Sequence, residues 1–313
     1  MLTRRHIRVK VMQCIYALIQ SNDESLQKQE KFLKFSIDNM YTLYLLMLSF
    51  LIELHRLAQK HVSSKKYLSS KEDSYPDKNK FVSNRLLVQL TSNEALKSEL
   101  SKRKLEHWDI NEEYVKVVYK EMTNHKLYKK YMQQEGSDFE ADKELVLAIF
   151  KDLVAPNDKI YDFFEDERLT WVDDIPIVNT FILKRLRKAS LENNPNFFTP
   201  KLYKDEQDLV YANELLTKTL LTNDKLEKEI EGKTPNWDKD RIAEIDYILL
   251  KMAICELLNF SSIPEKVTIN EYLEIAKEYS TPKSSIFING ILDKLVKEYK
   301  AEGKLQKIGR GLL

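Results

Sequence analysis

An all-α fold is the expectation for this chain, and three observations point to it. Leu, Ile, Tyr and Phe recur at the helical period among charged residues, while two-residue alternation is scarce. Only six glycines occur in 313 residues, and none precedes Gly136. Phosphate-cradling loops at strand-to-helix turns need several closely spaced glycines, and no GxGxxG or Walker pattern is present. The composition is that of a globular protein, with 43% hydrophobic and 32% charged residues.

The first helix is expected over about residues 3–20, with Thr3 as its N-cap. Val11, Met12, Ile15, Leu18 and Ile19 repeat at the helical period and form its predicted buried face. Arg4, Arg5 and Arg8 fall within about one turn of each other, Lys10 follows, and the first acid is Asp23. The whole chain is nearly balanced, with 50 Lys+Arg against 49 Asp+Glu, so this acid-free opening is a local excess that points to a polyanion. A solvated basic surface and an amphipathic presequence share that composition. A secretory signal does not fit, because Lys10 and Gln13 interrupt the apolar positions and no small-residue cleavage site follows.

A second helical stretch covers about 25–60, with Phe32, Phe35, Ile37, Leu43, Leu46, Met47, Phe50, Leu51 and Leu54 as its apolar positions. Its apolar run near 43–54, broken by Ser49 and Glu53, reads as too short to span a membrane. Residues 62–80 shift to Ser, Lys, Asp and Pro and read as a linker. Helical patterns resume near 83–105 and 111–134. Gly136-Ser137-Asp138 marks a break, and NNPNFFTP at 193–200 is a second non-helical joint. Near the C-terminus, Pro264 opens a helix, Ser280-Thr281-Pro282 ends it, and Ser284 or Ser285 caps the next, over about 286–295. Gly290 sits inside that last pattern, at a cost of about 1 kcal/mol relative to alanine, which suggests close approach of a helix or ligand. The tail after Gly303 is basic and expected to fray.

An internal similarity lays 142–186 on 208–252 without gaps, at a fixed offset. Asn157-Asp158-Lys159 falls on Asn223-Asp224-Lys225, Trp171 on Trp237, Asp174 on Asp240 and Ile182-Leu183 on Ile248-Leu249. Each copy reads as helix, loop with Trp, helix.

Nothing in the sequence supports catalysis. Five scattered histidines and two cysteines form no HExxH or CxxC pattern, so no metal or cofactor is expected. Cys14 and Cys255 each sit in an apolar helical pattern and read as buried thiols of a reducing compartment. The cluster His125-Lys126-Leu127-Tyr128-Lys129-Lys130-Tyr131 has the residue types of an RNA surface, but a solvated helix face with half-buried tyrosines accounts for it better.

Three segments together resemble the NusB transcription antitermination family: IPEKVTINE at 263–271, FINGILDK at 287–294, and RRHIR followed by MQCIY in the first helix. The likeness is strong over about 3–20 and 205–298 and weak over 21–204. It implies an arginine-rich first helix (1–20) packed on a NusB-like core (205–303). A long inserted helical region (21–204), carrying the degenerate copy at 142–186, and a basic tail (304–313) complete the chain. The resemblance further implies a non-enzymatic, cytoplasmic protein that binds single-stranded boxA-type RNA together with NusE, the small-subunit ribosomal protein. It would join the RNA polymerase elongation complex, notably on ribosomal RNA operons, and no membrane is involved. The residues it nominates for RNA are Arg4, Arg5, Arg8, Gln13 and Tyr16 of the first helix and Lys283, Phe287 and Asn289 near the last. Lys283 stands where the family tends to have an acid, and Ile286 where it often has lysine. A helical protein-interaction scaffold of the transcription complex, with weak or lost RNA binding, is the alternative.

Overall fold

The computed structural model describes residues 2–21, 25–64, 75–203, 205–231, 233 and 242–308. Helices make up its regular structure, and no strand occurs among the described residues. In chain order they are α1 (Arg4–Ser21), α2 (Leu26–Ser63), α3 (Arg85–Ser92), α4 (Glu94–Lys102), α5 (His107–Ile110), α6 (Glu112–Asn124), α7 (Lys126–Gln133) and α8 (Phe139–Ile149). There follow α9 (Asp158–Glu167), α10 (Ile175–Arg187), α11 (Glu206–Leu221), α12 (Asn223–Glu231), α13 (Glu244–Asn259), α14 (Glu265–Tyr279) and α15 (Ser284–Ala301). The chain divides into two compact units, one of residues 1–37 with 202–313 and the other of residues 38–201.

The first unit is built on α13. Its sequence from Ile248 to Leu257 is apolar but for Lys251 and Glu256, and every one of those residues is buried. A helix apolar on all sides must be surrounded, and α1, α11, α12, α14 and α15 all pack against it or against each other around it. The tail does not fray at its start. Lys307 Nζ donates to the carbonyls of Glu256 (3.2 Å) and Phe260 (3.0 Å) at the end of α13, where a cation suits the helix dipole.

The second unit is organised around residues 38–63 of α2. Met40, Leu43, Tyr44, Leu46, Phe50 and Leu54 are fully or almost fully buried. Contrary to the expectation from its apolar run, α2 is long and apolar enough to cross a membrane. Its most apolar window is nonetheless 83% buried inside the protein, as befits a core helix. Trp108 and Trp171 donate their indole N–H groups to the α2 carbonyls of Leu46 and Asn39, each at 2.9 Å, so both rings are buried without an orphaned donor. Phe50, Trp108, Phe163, Phe164 and Trp171 form a chain of ring contacts at 4.9–5.6 Å between centroids.

Two expected long helices are broken. The pattern over 83–105 divides at Asn93, whose amide accepts from Leu96 N (2.8 Å) while its own N–H closes on Leu90 O. The pattern over 111–134 divides at His125, which is extended (ψ 139°) between α6 and α7. At Asn93 the reason is a short polar side chain that satisfies a helix end and so competes with continuation of the helix; His125 makes no side-chain cap. In the Lys/Tyr cluster the tyrosines are more deeply placed than expected: Tyr128 and Tyr131 are buried, while Lys126, Lys129 and Lys130 stay exposed.

Among the described residues, the two similar segments each hold three α-helices rather than two. One comprises α8 with a π-helical turn (Phe150–Val154), α9 and α10; the other comprises α11, α12 and α13. Moved back by the sequence offset, α11 falls on 140–155 and α12 on 157–165, close to α8 with its π turn and to α9. Trp237 and Asp240 lie outside the described residues, as do residues 65–74 of the linker and the tail beyond Ile308.

Trp171 and Leu169 are neighbours with opposite environments, 1% and 74% exposed. Trp171→Ala is expected to destabilise the protein by about 3–5 kcal/mol, and Leu169→Ala by less than about 0.5 kcal/mol, in urea unfolding followed by circular dichroism.

Candidate nucleic-acid interface

Helix α1 begins where Thr3 Oγ1 accepts from the backbone N–H of His6 (3.5 Å). Ile7, Val11, Met12, Cys14 and Ile15 turn inward. Leu18 is only half-buried and Ile19 is 36% exposed, so the buried face stops a turn earlier than its periodicity suggests.

The three arginines have three different fates, which corrects the expectation of one exposed basic group. Arg8 is interior: its side chain is 2% exposed and Glu256, its partner on α13, is 0% exposed. The pair is bidentate, with Arg8 Nε to Glu256 Oε2 at 2.8 Å and Nη2 to Oε1 at 2.7 Å. Tyr211 of α11 and Thr268 and Tyr272 of α14 also donate to this carboxylate, at 2.5, 2.7 and 3.3 Å. A carboxylate offers about four lone-pair positions, so Glu256 is saturated. The guanidinium lies over the Tyr211 and Tyr272 rings, at 5.5 and 5.7 Å from their centroids. Burial works against the Arg8 charge, yet Glu256 outweighs it and holds the group above its ordinary range. Burial and the same carboxylate push the hydroxyls of Tyr211 and Tyr272 well upward. Arg8 therefore joins α1 to three helices at once and presents no charge to solvent.

Arg5 and Arg4 lie at the rim. Arg5 makes a bidentate pair with Glu271 of α14, both bonds at 2.9 Å, and its side chain stays 37% exposed. Those hydrogen bonds hold the Glu271 carboxyl below its usual range despite partial burial. Arg4 approaches Asp208 of α11 at 3.4 Å, covers the Tyr211 ring at 5.1 Å, and is 39% exposed. At about 100° per residue, Arg5, Gln13, Tyr16 and Gln20 fall within one strip about 80° wide along α1. Tyr16 is 40% exposed and Gln13 half-buried.

The residues from the last helix stand elsewhere. Gln20, at the far end of α1, donates to Glu244 (2.7 Å), and Ser284 at the start of α15 donates to Asp246 (2.7 Å). Both ends thus meet on the first turn of α13. Asp246 and Glu256 are ten residues apart on that helix, about 15 Å along its axis. Lys283 is exposed, and Phe287 and Asn289 are half-buried; Asn289 donates to Asp293 at 3.1 Å. The nominated residues therefore form two groups at the two ends of α13, linked by the α1 strip. Lys283, not a serine, occupies the N-cap of α15. Gly290 has nothing within 4 Å of where a Cβ would stand, so no neighbouring helix explains it.

Sequence reasoning missed Glu256, Glu271 and Asp208 as the partners of the arginines. Glu256 was detectable as the lone acid in the otherwise apolar stretch Met252–Leu258. No group of three or more metal-ligating residues occurs among the described residues. Both cysteines are free and buried, and burial raises the thiols of Cys14 and Cys255 to about 12 and about 11.

The NusB family model matches residues 177–297. A transcription antitermination protein NusB from Geotalea daltonii is 35% identical over 116 residues, which cover 37% of this chain and 77% of that protein. The chain belongs to the NusB family. Proteins of the same name from Salinibacter ruber and Chloroherpeton thalassium are 45% identical over 103 residues and 49% over 88. These matches cover 33% and 28% of this chain, and 64% and 42% of those relatives, less than two thirds of either. No solved structure matches the chain. The NusB match begins within α10 and ends within α15, so it includes Glu256 and Glu271 but not α1.

Breaking a buried ion pair strands a charge, at a cost of about 3–5 kcal/mol. Arg8→Met or Glu256→Gln is expected to lower stability by that order in urea unfolding, and the double variant Arg8→Met/Glu256→Met to stay destabilised, because the hydroxyls of Tyr211, Thr268 and Tyr272 then lose their buried acceptor. A pH series tests a second group. His6 is lowered from 6.5 to about 4 by burial and by the Arg5 charge. Above 6.5 it is neutral in both states; between 6.5 and 4 the unfolded chain takes up a proton that the folded one refuses. Stability is expected to fall as pH falls through that window, and His6→Gln to flatten the decline.

Proposed function

We propose that this protein is an RNA-binding transcription antitermination factor. It would act with NusE on boxA-type single-stranded RNA within the RNA polymerase elongation complex, notably during ribosomal RNA operon transcription. The observation that carries the proposal is the α1 strip, with Arg5, Gln13 and Tyr16 held outward by a helix whose Arg8 is locked inside. The names of its NusB relatives support the same role. Arg4 and Arg5 would draw in the phosphates, Tyr16 would stack on an unpaired base, and Gln13 would read a base edge. Lys283, Phe287 and Asn289 would continue the RNA path about 15 Å along α13. Arg8 serves as the internal anchor and makes no phosphate contact. No catalytic step is assigned, and the work is that of a cytoplasmic factor.

One observation favours a second reading, a protein-interaction scaffold with weakened RNA binding: Arg4 and Arg5 already face Asp208 and Glu271. RNA phosphates would have to compete with those carboxylates.

The readings separate in a salt series. Each phosphate contact to single-stranded RNA contributes a slope of about −0.7 in log K against log salt. Arg4→Ala/Arg5→Ala is expected to weaken boxA-type RNA binding and make that slope shallower by about 1.4. An unchanged slope and affinity, with NusE captured in the absence of RNA, would establish the scaffold instead.

A further inference from the structure

The second unit repeats the anchoring arrangement of α1 in another place. Arg4, the first residue of α1, sits over Asp208 at 3.4 Å with side-chain exposures of 39% and 7%. Arg85, the first residue of α3, sits over Asp142 at 3.9 Å with exposures of 46% and 1%. Asp142 and Asp208 are equivalent positions of the internal similarity. The next contact differs. Four residues into α1, Arg8 reaches Glu256; four residues into α3, Gln89 Nε2 donates to the carbonyls of Ser190 (3.1 Å) and Leu191 (2.8 Å). Ser190 lies four residues beyond the end of the similar segment and is exposed, unlike Glu256. The exposed arginine over a buried aspartate is thus shared by the two units, while the buried ion pair of the first is not.

Beside that edge lies the end of α10. From Ile175 to Leu191 the sequence contains no acid, and Lys184, Arg187 and Lys188 are all exposed. Arg185 lies over the half-buried ring of Phe197, at 4.6 Å. The nearby acids are largely occupied: Asp142 lies beneath Arg85, and Glu140 pairs with Lys143, whose Nζ also reaches Ala189 O. Glu192 stands four residues beyond Lys188.

We propose that Arg85, Arg187 and Lys188 form a second RNA-binding face, in the second unit, which takes the phosphate backbone of single-stranded RNA. Exposed cations at the start of α3 and the end of α10, two elements joined by the hydrogen bonds of Gln89 to Ser190 and Leu191, suit a sequence-independent polyanion contact, which adds affinity but no base readout. The inference rests on the RNA-binding reading above, and it makes this chain a two-site binder. Basic side chains in a last helical turn also complement the helix dipole, so the test reads RNA binding and not stability.

The test uses the full chain and an unstructured single-stranded RNA of about 30 nucleotides, longer than a single-module site of roughly 4–16. Arg187→Ala/Lys188→Ala, both at exposed positions, is expected to make the salt slope shallower by about 1.4. Arg4→Ala/Arg5→Ala in the same titration reports on the first unit. If that variant weakens binding while Arg187→Ala/Lys188→Ala leaves slope and affinity unchanged, the second face is overturned and the first stands. If the wild-type chain does not bind this RNA, or neither variant changes its binding, both are overturned.

Discussion

The buried pair of Arg8 and Glu256 is the interaction on which the first unit depends. It lies where α1, α11, α13 and α14 converge, and all four contribute to it: Arg8, Tyr211, Glu256, and Thr268 with Tyr272. Two charges are costly to bury, and their mutual attraction alone offsets little of that cost. The three hydroxyl donors and two flanking rings turn a liability into a fixed point, because every remaining lone pair has a partner. A hydrophobic seam would let α1 slide or rotate by a turn. A bidentate pair admits one register, and that register decides which residues of α1 face outward.

The arrangement explains how a helix can be both arginine-rich and well packed. Its arginines are graded from interior to rim. Arg8 spends its charge on the core, Arg5 shares its charge with Glu271, and Arg4 leans on Tyr211 and Asp208. Glu271 also lies 3.7 Å from Arg8 Nη1 and couples the rim to the hub. The charge left for a ligand is therefore smaller than the count of arginines suggests. The shape of the strip holding Tyr16 and Gln13 matters correspondingly more.

Much of the fold was legible because it follows from periodicity and from what interrupts it. The helical character, the joint at 193–200, the end of α14 and the family resemblance all come from local patterns. The break at Asn93 was not legible, since a capping asparagine looks like any polar residue until its neighbours' backbone is placed, and the break at His125 carries no side-chain cap at all. At the site, Tyr16 and Lys283 are as open as their helix positions suggest. The depth of Arg8 was hidden, because its partner lies 248 residues away in sequence. Gly290 misled in the other direction: its helical position suggested a crowded contact, and it faces open space. Long-range pairing is what a single sequence conceals. The matching placement of Asp142 and Asp208 shows how an internal similarity can expose some of it.

Hydrogen exchange resolved along α1 tests the central claim most directly. In the wild-type chain, the amides from Val11 to Ile15 should open only with global unfolding of the unit. In Glu256→Gln, amides in the middle of α15 should lose the global stability that the variant loses, about 3–5 kcal/mol, while those of α1 should lose more, because α1 then opens locally below the global limit. Equal loss of protection in α1 and α15, or no loss in either, would contradict the account, because α1 would then not be held by the Arg8–Glu256 pair.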